Sequence, residues 1–179
     1  MEIYEGSAKI ETDNPIRLGA EILKEGKILA IKGIGGTHLV VDAYNDDAIK
    51  ELRKRLNRPN QAFAVMCKDL ESLQNYAQLS KKEIDTITSN KRPIVILKKK
   101  ENYPFPDSLS PGLHNIGVML PYSPMHYLLF DEGDIDTYVM TSANIPGEPI
   151  MIKNEDIIGG VNDYSLVHNR QILNRCDDS

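Results

Sequence analysis

Residues 28–41 read ILAIKGIGGTHLVV, and this stretch contains two short apolar runs on either side of a glycine-rich turn. A run of four apolar residues bounded by turn signals is typical of a buried strand; residues 28–31 fit that pattern, and residues 38–41, HLVV, resume it after the turn. Glycine allows the backbone to turn freely and to come close to a ligand. The sequence therefore predicts two strands joined by a candidate ligand loop.

Helix signals flank this pair of strands. Asn14 and Pro15 suit the cap and the first turn of a helix that Gly26 can end. A second helix starts near Asn45, because acidic residues there favour its positive end. Its predicted apolar stripe is Ile49, Leu52 and Leu56. We expect the cations of this helix to lie largely away from that stripe: Lys50, Arg53, Lys54 and Arg55.

The rest of the chain continues the alternation of strands and helices. Signals for further helix starts are Asp69, the capping box from Ser80 to Glu83, and the pair Ser123-Pro124. Further strands are predicted at 63–66, 93–97, 116–120 and 138–141, the second of them as a buried strand, and residues 99–114 as a loop. This alternation favours one α/β domain over residues 1–179, a sheet covered by helices.

Composition narrows the class of protein. With 179 residues, 41% of them apolar and 26% charged, the chain suits one globular core. No apolar run approaches the ~20 residues of a membrane span, and the first residues lack a secretory signal, so we expect a cytoplasmic protein without a membrane partner. The net charge of −5 gives no overall footprint for nucleic acid, although a local basic face stays open.

The two cysteines, Cys67 and Cys176, are far apart and form no CxxC pair. A disulfide framework or a structural zinc site is therefore not expected. We interpret both residues as small buried or half-buried side chains.

Three segments carry candidate chemistry, and each has a simpler explanation. Lys32 to His38 is a glycine-rich loop with a cation beside it, or only a turn between strands. Arg55 and Arg58 are three positions apart and would share a helical face that clamps a polyphosphate, or would belong to a solvated charged face. Thr141 to Asn144, followed by Gly147-Glu148-Pro149, offers hydroxyl and amide groups to phosphate, or forms a turn held by local hydrogen bonds.

Five stretches, in this order, resemble the YrdC-type domain of HypF carbamoyltransferases. They are AIKGIGGTHLVVDAYNDDAIKELRKRLNRP (30–59), KRPIVIL (91–97), SPGLHNIGVMLPYSPMHYLL (110–129), MTSANIPGEPI (140–150) and HNRQILNRCDDS (168–179). The resemblance runs from about residue 13 to residue 179. It implies a YrdC-like twisted open mixed sheet with flanking helices and a concave nucleotide-binding face.

The resemblance also implies a reaction. ATP, with Mg²⁺ as its counter-ion, would convert carbamate into carbamoyl-adenylate and release pyrophosphate. In that family the carbamate comes from carbamoyl phosphate, and the carbamoyl group passes to a HypE-type acceptor protein to become a cyanide ligand in [NiFe]-hydrogenase maturation. A related branch adenylates threonylcarbamate for tRNA modification, and some members bind double-stranded RNA. Because the chain lacks CxxC pairs and is short, it is either one domain of such an enzyme or a stand-alone relative.

Residue by residue, the resemblance implies three groups of functional positions. Those implied in catalysis are Lys32, Arg58 and Ser142. Those implied in binding a small acid such as carbamate are Gly33, Gly35, Gly36 and His38, since glycines replace a threonine-rich segment of the threonine-using branch. Those implied in ATP binding are Arg55, Arg58, Ser142, Asn144, Arg170 and Arg175, and no metal held by protein side chains is expected.

The chain departs from the family pattern at several positions. Leu56 stands where members usually carry lysine, Gln61-Ala62 where they have Lys-Pro, Asn169 in the closing His-Asp-Arg, and Thr37 in place of an aromatic. Losing two lysines near a triphosphate should weaken its neutralisation, so we hypothesise that Lys54 or Arg55 compensates. Three functions stay open: carbamoyl-adenylate synthesis, threonylcarbamoyl-adenylate synthesis, and a degenerate domain that holds nucleotide or RNA without turnover.

Overall fold

The structure is a computed structural model that describes residues 1–144 and 149–176. In these ranges the strands are β1 (Glu2–Glu5), β2 (Ala8–Ile10), β3 (Leu29–Lys32), β4 (Thr37–Asp42), β5 (Ala64–Cys67), β6 (Ala77–Gln78), β7 (Val95–Lys99), β8 (Asn115–Met119), β9 (Thr137–Ser142) and β10 (Tyr164–Val167). The helices are α1 (Pro15–Lys24), α2 (Asp46–Leu56), α3 (Leu70–Tyr76), α4 (Lys81–Ile87), α5 (Pro124–Glu132) and α6 (Asn154–Ile157), with a short 3₁₀ turn at Asp107–Leu109.

All these strands join one open sheet in the spatial order β2-β1-β10-β3-β4-β9-β5-β8-β7-β6. Two neighbouring pairs, β10 with β3 and β5 with β8, run parallel, and the other pairs run antiparallel. The predicted open mixed α/β sheet is therefore confirmed.

Each face of the sheet has its own core, because side chains alternate between faces along a strand. On β4, Leu39 and Val41 join the core beneath α2, α3, α4 and α6. Val40, between them, joins the core beneath α1 and α5. Of the described helices, four thus cover one face of the sheet, whereas only α1 and α5 pack on the other face and leave part of it uncovered.

The helix caps agree with the sequence. The side chain of Asn14 accepts a hydrogen bond from the amide of Arg17 at 3.1 Å, and Asn45 accepts one from Ala48 at 3.0 Å. The Ser80–Glu83 capping box forms in both directions. Asp69 and Ser123 also cap their predicted helices. These bonds are local, so the sequence alone predicts them well.

Two sequence-based expectations about strands differ from the structure. Residues 93–97 were expected to form a buried strand, whereas β7 starts at Val95, only Leu97 of this strand is buried, and Ile96 is 61% exposed. The reason is that side chains alternate along β7: Leu97 points into the core beneath α2, α3, α4 and α6, whereas Ile96, opposite Gly117, points to the face that α1 and α5 only partly cover. The short strands β1, β2 and β10 carry no strong period-2 signal and were not predicted.

The interpretation of both cysteines as buried or half-buried side chains is correct for Cys67 and wrong for Cys176. Both are free, and Cys67 is buried as expected, but Cys176 is exposed. None of the helices in the described part of the chain combines the length and the apolar character that a membrane span requires.

Replacing Leu52 by alanine should lower the free energy of unfolding by about 3 kcal/mol, because it leaves a cavity under α2. Leu52 is fully buried, whereas Leu173 is 86% exposed and serves as the matched control. Leu173→Ala should change stability by less than about 0.5 kcal/mol. Chemical denaturation of both variants measures the difference, and equal losses would contradict the assignment of α2 to the core.

Candidate active site

A cavity of about 290 Å³ opens on the face that α1 and α5 only partly cover. Its floor is built by four adjacent strands, which contribute His38 from β4, Met140 and Ser142 from β9, Ala64 from β5 and Met119 from β8. Among the described residues, none that lines it belongs to a helix. The cavity therefore occupies the uncovered part of this face.

Residues with small side chains on β5 and β8 leave space above the floor of this cavity. Ala64 lies opposite Gly117 in the register of β5 and β8. A Cβ atom added at Gly117 would lie 3.5 Å from the Cβ of Ala64 and 3.2 Å from Cγ2 of Ile94. Together with Met119 and Met140, Ile94 gives the cavity an apolar side. This surface suits a flat apolar group better than a charged one.

A polar network forms the opposite side of the cavity. The guanidinium of Arg58 donates to Oγ1 of Thr141 at 2.9 Å and to Oδ1 of Asn144 at 3.1 Å. The hydroxyl of Ser142 donates to the same Oδ1 at 2.8 Å. Within the described residues, no carboxylate forms an ion pair with Arg58. A guanidinium and hydroxyl groups in this arrangement can bind phosphate oxygens.

Arg58 is placed by the residue five positions before it. Helix α2 ends at Leu56, and Asn57 takes a left-handed conformation with φ 49°. The buried guanidinium of Arg53 then donates to the carbonyls of Arg58 and Gln61, both at 2.8 Å. It also holds the carbonyls of Ser108 at 2.6 Å and Leu109 at 3.2 Å.

The expectation that Arg53 lies away from the apolar stripe is wrong. Arg53 is only 7% exposed, and its guanidinium packs 4.5 Å from the ring centre of Phe63. It is buried because the carbonyls of two loops need donors once they leave water. A signal was present, since Arg53 follows Ile49 by four positions and precedes Leu56 by three, which places it on the buried face.

Of the two alternatives for Arg55 and Arg58, the clamp on one helical face does not form, because the helix ends at Leu56, between them. Arg55 instead pairs with Glu51 at 2.9 Å and with Asp163 at 2.8 Å. Asp163 accepts a bond from the amide of Ile28, just before β3 begins. Arg55 therefore lies near the start of β3, whereas the cavity lies beside His38, at the other end of the strand pair.

The other cation proposed to compensate, Lys54, is 81% exposed at its side chain and lies 3.8 Å from Glu51. Leu56, where the family usually has lysine, is part of the core. The geometry thus gives no support to compensation by Lys54 or Arg55.

The glycine loop is packed against two distant segments. The amide of Gly33 donates to the carbonyl of Gly36 at 2.7 Å, which closes the turn. A Cβ atom at Gly35 would lie 2.6 Å from Cβ of Cys176, and one at Gly36 would lie 2.5 Å from Cδ1 of Ile150. Close packing therefore explains these two glycines, and their part in substrate binding remains a prediction.

The remaining predicted residues divide between this cavity and other places. His38 faces the cavity and lies opposite Ser142 in the register of β4 and β9. Lys32 is one position after Ile31, the partner of His38, so its side chain points to the other face. Arg170 lines a separate cavity of about 240 Å³, and Nε of Arg175 donates to the carbonyl of Ile150 at 3.0 Å.

The structure therefore brings together His38, Arg58, Ser142 and Asn144, and it does not bring Lys32, Arg55, Arg170 or Arg175 to them. Sequence reasoning singled out the positions of Thr141 and Gln61 but did not select Met140 as a lining residue. The alternation from Met140 to Ser142 is a signal that could have found the methionine. The predicted Gly147-Glu148 and the closing Asp177, Asp178 and Ser179 lie outside the described residues.

Comparison with known proteins gives a consistent group of relatives. A family model for Sua5, YciO and YrdC proteins, described as "Telomere recombination", matches residues 21–179. The probable carbamoyltransferase HypF of Methanocaldococcus jannaschii is 52% identical over an alignment of 174 residues that covers 94% of this chain and 22% of that protein. The threonylcarbamoyl-AMP synthase of Bacillus subtilis is 26% identical over 158 residues, 83% of this chain and 44% of that protein.

Solved structures agree with these relatives. The crystal structure of T. kodakarensis HypF has a TM-score of 0.95 and 48% identity, covering 99% of this chain and 24% of that chain. A full-length HypF in a phosphate- and nucleotide-bound form has a TM-score of 0.91 and 43% identity, covering 98% of this chain and 23% of that chain. The chain thus spans about a quarter of the length of these HypF proteins.

Replacing Arg53 by methionine should lower the free energy of unfolding by about 3 kcal/mol, because it removes the charged donor that binds four carbonyls of two loops. Arg17, an exposed arginine on α1, is the matched control, and Arg17→Met should cost less than about 1 kcal/mol. Urea denaturation measures both. Equal stability of the two variants would mean that the Arg53 network does not hold the site.

Proposed function

This chain belongs to the Sua5/YciO/YrdC family, and we propose that its candidate active site binds ATP and activates carbamate to carbamoyl-adenylate with release of pyrophosphate. The observation that carries the proposal is the network of Arg58, Thr141, Ser142 and Asn144 beside an apolar surface. A nucleotide requires this combination, since its phosphates need donors and its base needs an apolar contact. A HypF that is 43% identical to this chain has been solved with phosphate and nucleotide bound.

In the proposed reaction a carbamate oxygen attacks the α-phosphorus of ATP. A new phosphorus–oxygen bond forms, the bond from the α-phosphorus to the bridging oxygen breaks, and pyrophosphate leaves with the electron pair. Arg58 would stabilise the charge that develops on the phosphate oxygens, while Ser142 and Thr141 orient them. Magnesium would be held mainly by the phosphates, since Mg²⁺ at such sites keeps few protein ligands.

The acid would be positioned next to His38, which lies opposite Ser142 on the cavity floor. Holding the acid in line with the α-phosphorus converts a collision into an intramolecular step. Gln61 lines the same cavity in place of the usual lysine and offers only a neutral amide. Arg58 would therefore carry most of the neutralisation in this chain.

The wider role is also a proposal, because this chain spans only 22% of the M. jannaschii relative. We place the reaction in the cytoplasm, with carbamate derived from carbamoyl phosphate. The carbamoyl group would continue to the cysteine of a HypE-type acceptor and become a cyanide ligand during [NiFe]-hydrogenase maturation. Threonylcarbamoyl-adenylate synthesis and binding of double-stranded RNA without turnover are the alternatives that the experiment below separates.

The decisive assay is pyrophosphate release by the purified chain from ATP and magnesium. Ammonium bicarbonate supplies carbamate in one arm, and bicarbonate with threonine is used in the other. We expect release with ammonium only. Release that requires threonine would move the chain to the tRNA branch, and no release from a chain that still binds ATP would point to a domain without turnover.

Arg58→Gln should lower the rate of pyrophosphate release about 100-fold, because it removes a charged donor from the developing phosphate charge. Arg17→Gln removes the same charge from an exposed site on α1 and should leave the rate unchanged. Ser142→Ala should lower the rate as well, with ATP binding measured in parallel by calorimetry. If the two arginine variants behaved alike, the site would be misassigned.

Arg55→Ala tests the hypothesis that this residue replaces the missing lysines. Because Arg55 pairs with Glu51 and Asp163 near the start of β3, the substitution should cost about 1 kcal/mol of stability and leave the Kd for ATP unchanged. Calorimetry and urea denaturation give the two values. A weakened Kd at unchanged stability would restore the compensation hypothesis.

A further inference from the structure

A second polar cavity, of about 570 Å³, lies beyond the end of β3. The polar residues that line it are Lys32, Lys153, Asn154, Glu155, Asn169 and Gln171. None of them lines the candidate active site. We propose that this cavity is a separate binding site for a small oxyanion, a carboxylate or phosphate group, with Lys32 as its principal ligand.

The first observation is a buried ammonium group whose contacts are all neutral. Lys32 is 4% exposed. Its Nζ donates to Oδ1 of Asn154 at 2.7 Å and to the carbonyl of His168 at 3.3 Å. Across the residues with described positions, no carboxylate lies within ion-pair distance of it. Buried charges are normally paired. Among these same residues the ammonium has no carboxylate in contact with it, and a bound anion could supply the missing counter-charge.

The ammonium also has a remaining donor. A lysine offers three N–H groups, and the two bonds to Asn154 and His168 use two of them. Burial lowers the pKa of Lys32, which means that the charged form is costly without an anion. An oxyanion at the third N–H would offset that cost.

The second observation is that donors dominate the rest of the lining. Lys153 adds a second ammonium, and the amides of Asn169 and Gln171 add neutral N–H groups. Lys153 and the one carboxylate of the lining, Glu155, both belong to exposed residues, and Glu155 raises the pKa of Lys32 through space. With two lysines against one glutamate, the electrostatic balance of the cavity favours an anion.

This site is independent of the proposed ATP site. Lys32 projects from the face of the sheet that carries α6, whereas His38 and Ser142 project from the other face. A phosphate ion could bind at either place, because Arg58 also recognises phosphate oxygens. The test must therefore report where the anion binds as well as how tightly.

The experiment titrates inorganic phosphate, and separately acetate, into the ¹⁵N-labelled chain and follows backbone amide shifts. We expect saturable shifts at residues 153–155 and 169–171 with at least one of the two anions. The two arms distinguish a tetrahedral phosphate from a planar carboxylate. Shifts confined to residues 58 and 141–144, or no saturable shift in either arm, would overturn the proposal.

Variants separate the two sites. Lys32→Met keeps the approximate length of the side chain but removes its charge. It should raise the Kd obtained from the shifts at residues 153–155 at least about tenfold, whereas Arg58→Gln should leave that Kd unchanged. If Lys32→Met fails to fold, Lys153→Ala provides the second variant, and it should weaken the same shifts without affecting those near Asn144. Unchanged affinity in both lysine variants would refute the site, and loss of ATP binding in Arg58→Gln alone would leave it standing.

Discussion

The position of the polar network depends on one buried cation. The guanidinium of Arg53 binds carbonyls from the loop after α2 and from the 3₁₀ turn at Asp107–Leu109. It joins two segments that are distant in sequence, and Arg53 itself is 56 positions from Leu109. Charged donors make the stronger hydrogen bonds of proteins, so the backbone of Arg58 is fixed before any ligand arrives. Preorganisation of this kind is what electrostatic catalysis requires.

Side chains alternate between the two faces of the sheet along β3 and β4, the strands that flank the glycine loop. The polar side chains on either side of this loop therefore lie on different faces. Thr37 and Lys32 are partners at the end of the β3–β4 pair, and His38 and Ile31 are the next partners. Side chains from neighbouring pairs of the β3–β4 ladder therefore line different cavities. His38 lines the cavity over β9, and Lys32 lines the polar cavity beside α6. A motif that looks continuous in sequence is divided in space by the pleat of the sheet.

The parts of the fold that rest on local bonding could be predicted from the sequence, and those that rest on distant contacts could not. Asn14, Asn45 and Ser80 cap their helices through bonds within three residues. The left-handed turn at Asn57 separates Arg55 from Arg58, and helical spacing gave no sign of it. The closeness of Gly35 to Cys176 joins residues 141 positions apart and depends on the completed fold.

The strand order has a consequence for the order of assembly during synthesis. Among the described strands, β10 is the one that joins the hairpin of β1 and β2 to the rest of the sheet by backbone hydrogen bonds, and it lies between β1 and β3. Residues 2–10 therefore cannot join the rest of the sheet until residues 164–167 have been made. Until then the edge of β3 is exposed, and unpaired edges promote aggregation. Such long-range pairing also slows folding, so the edges of β3 and of the β1–β2 hairpin stay unpaired until β10 has been made and has joined both.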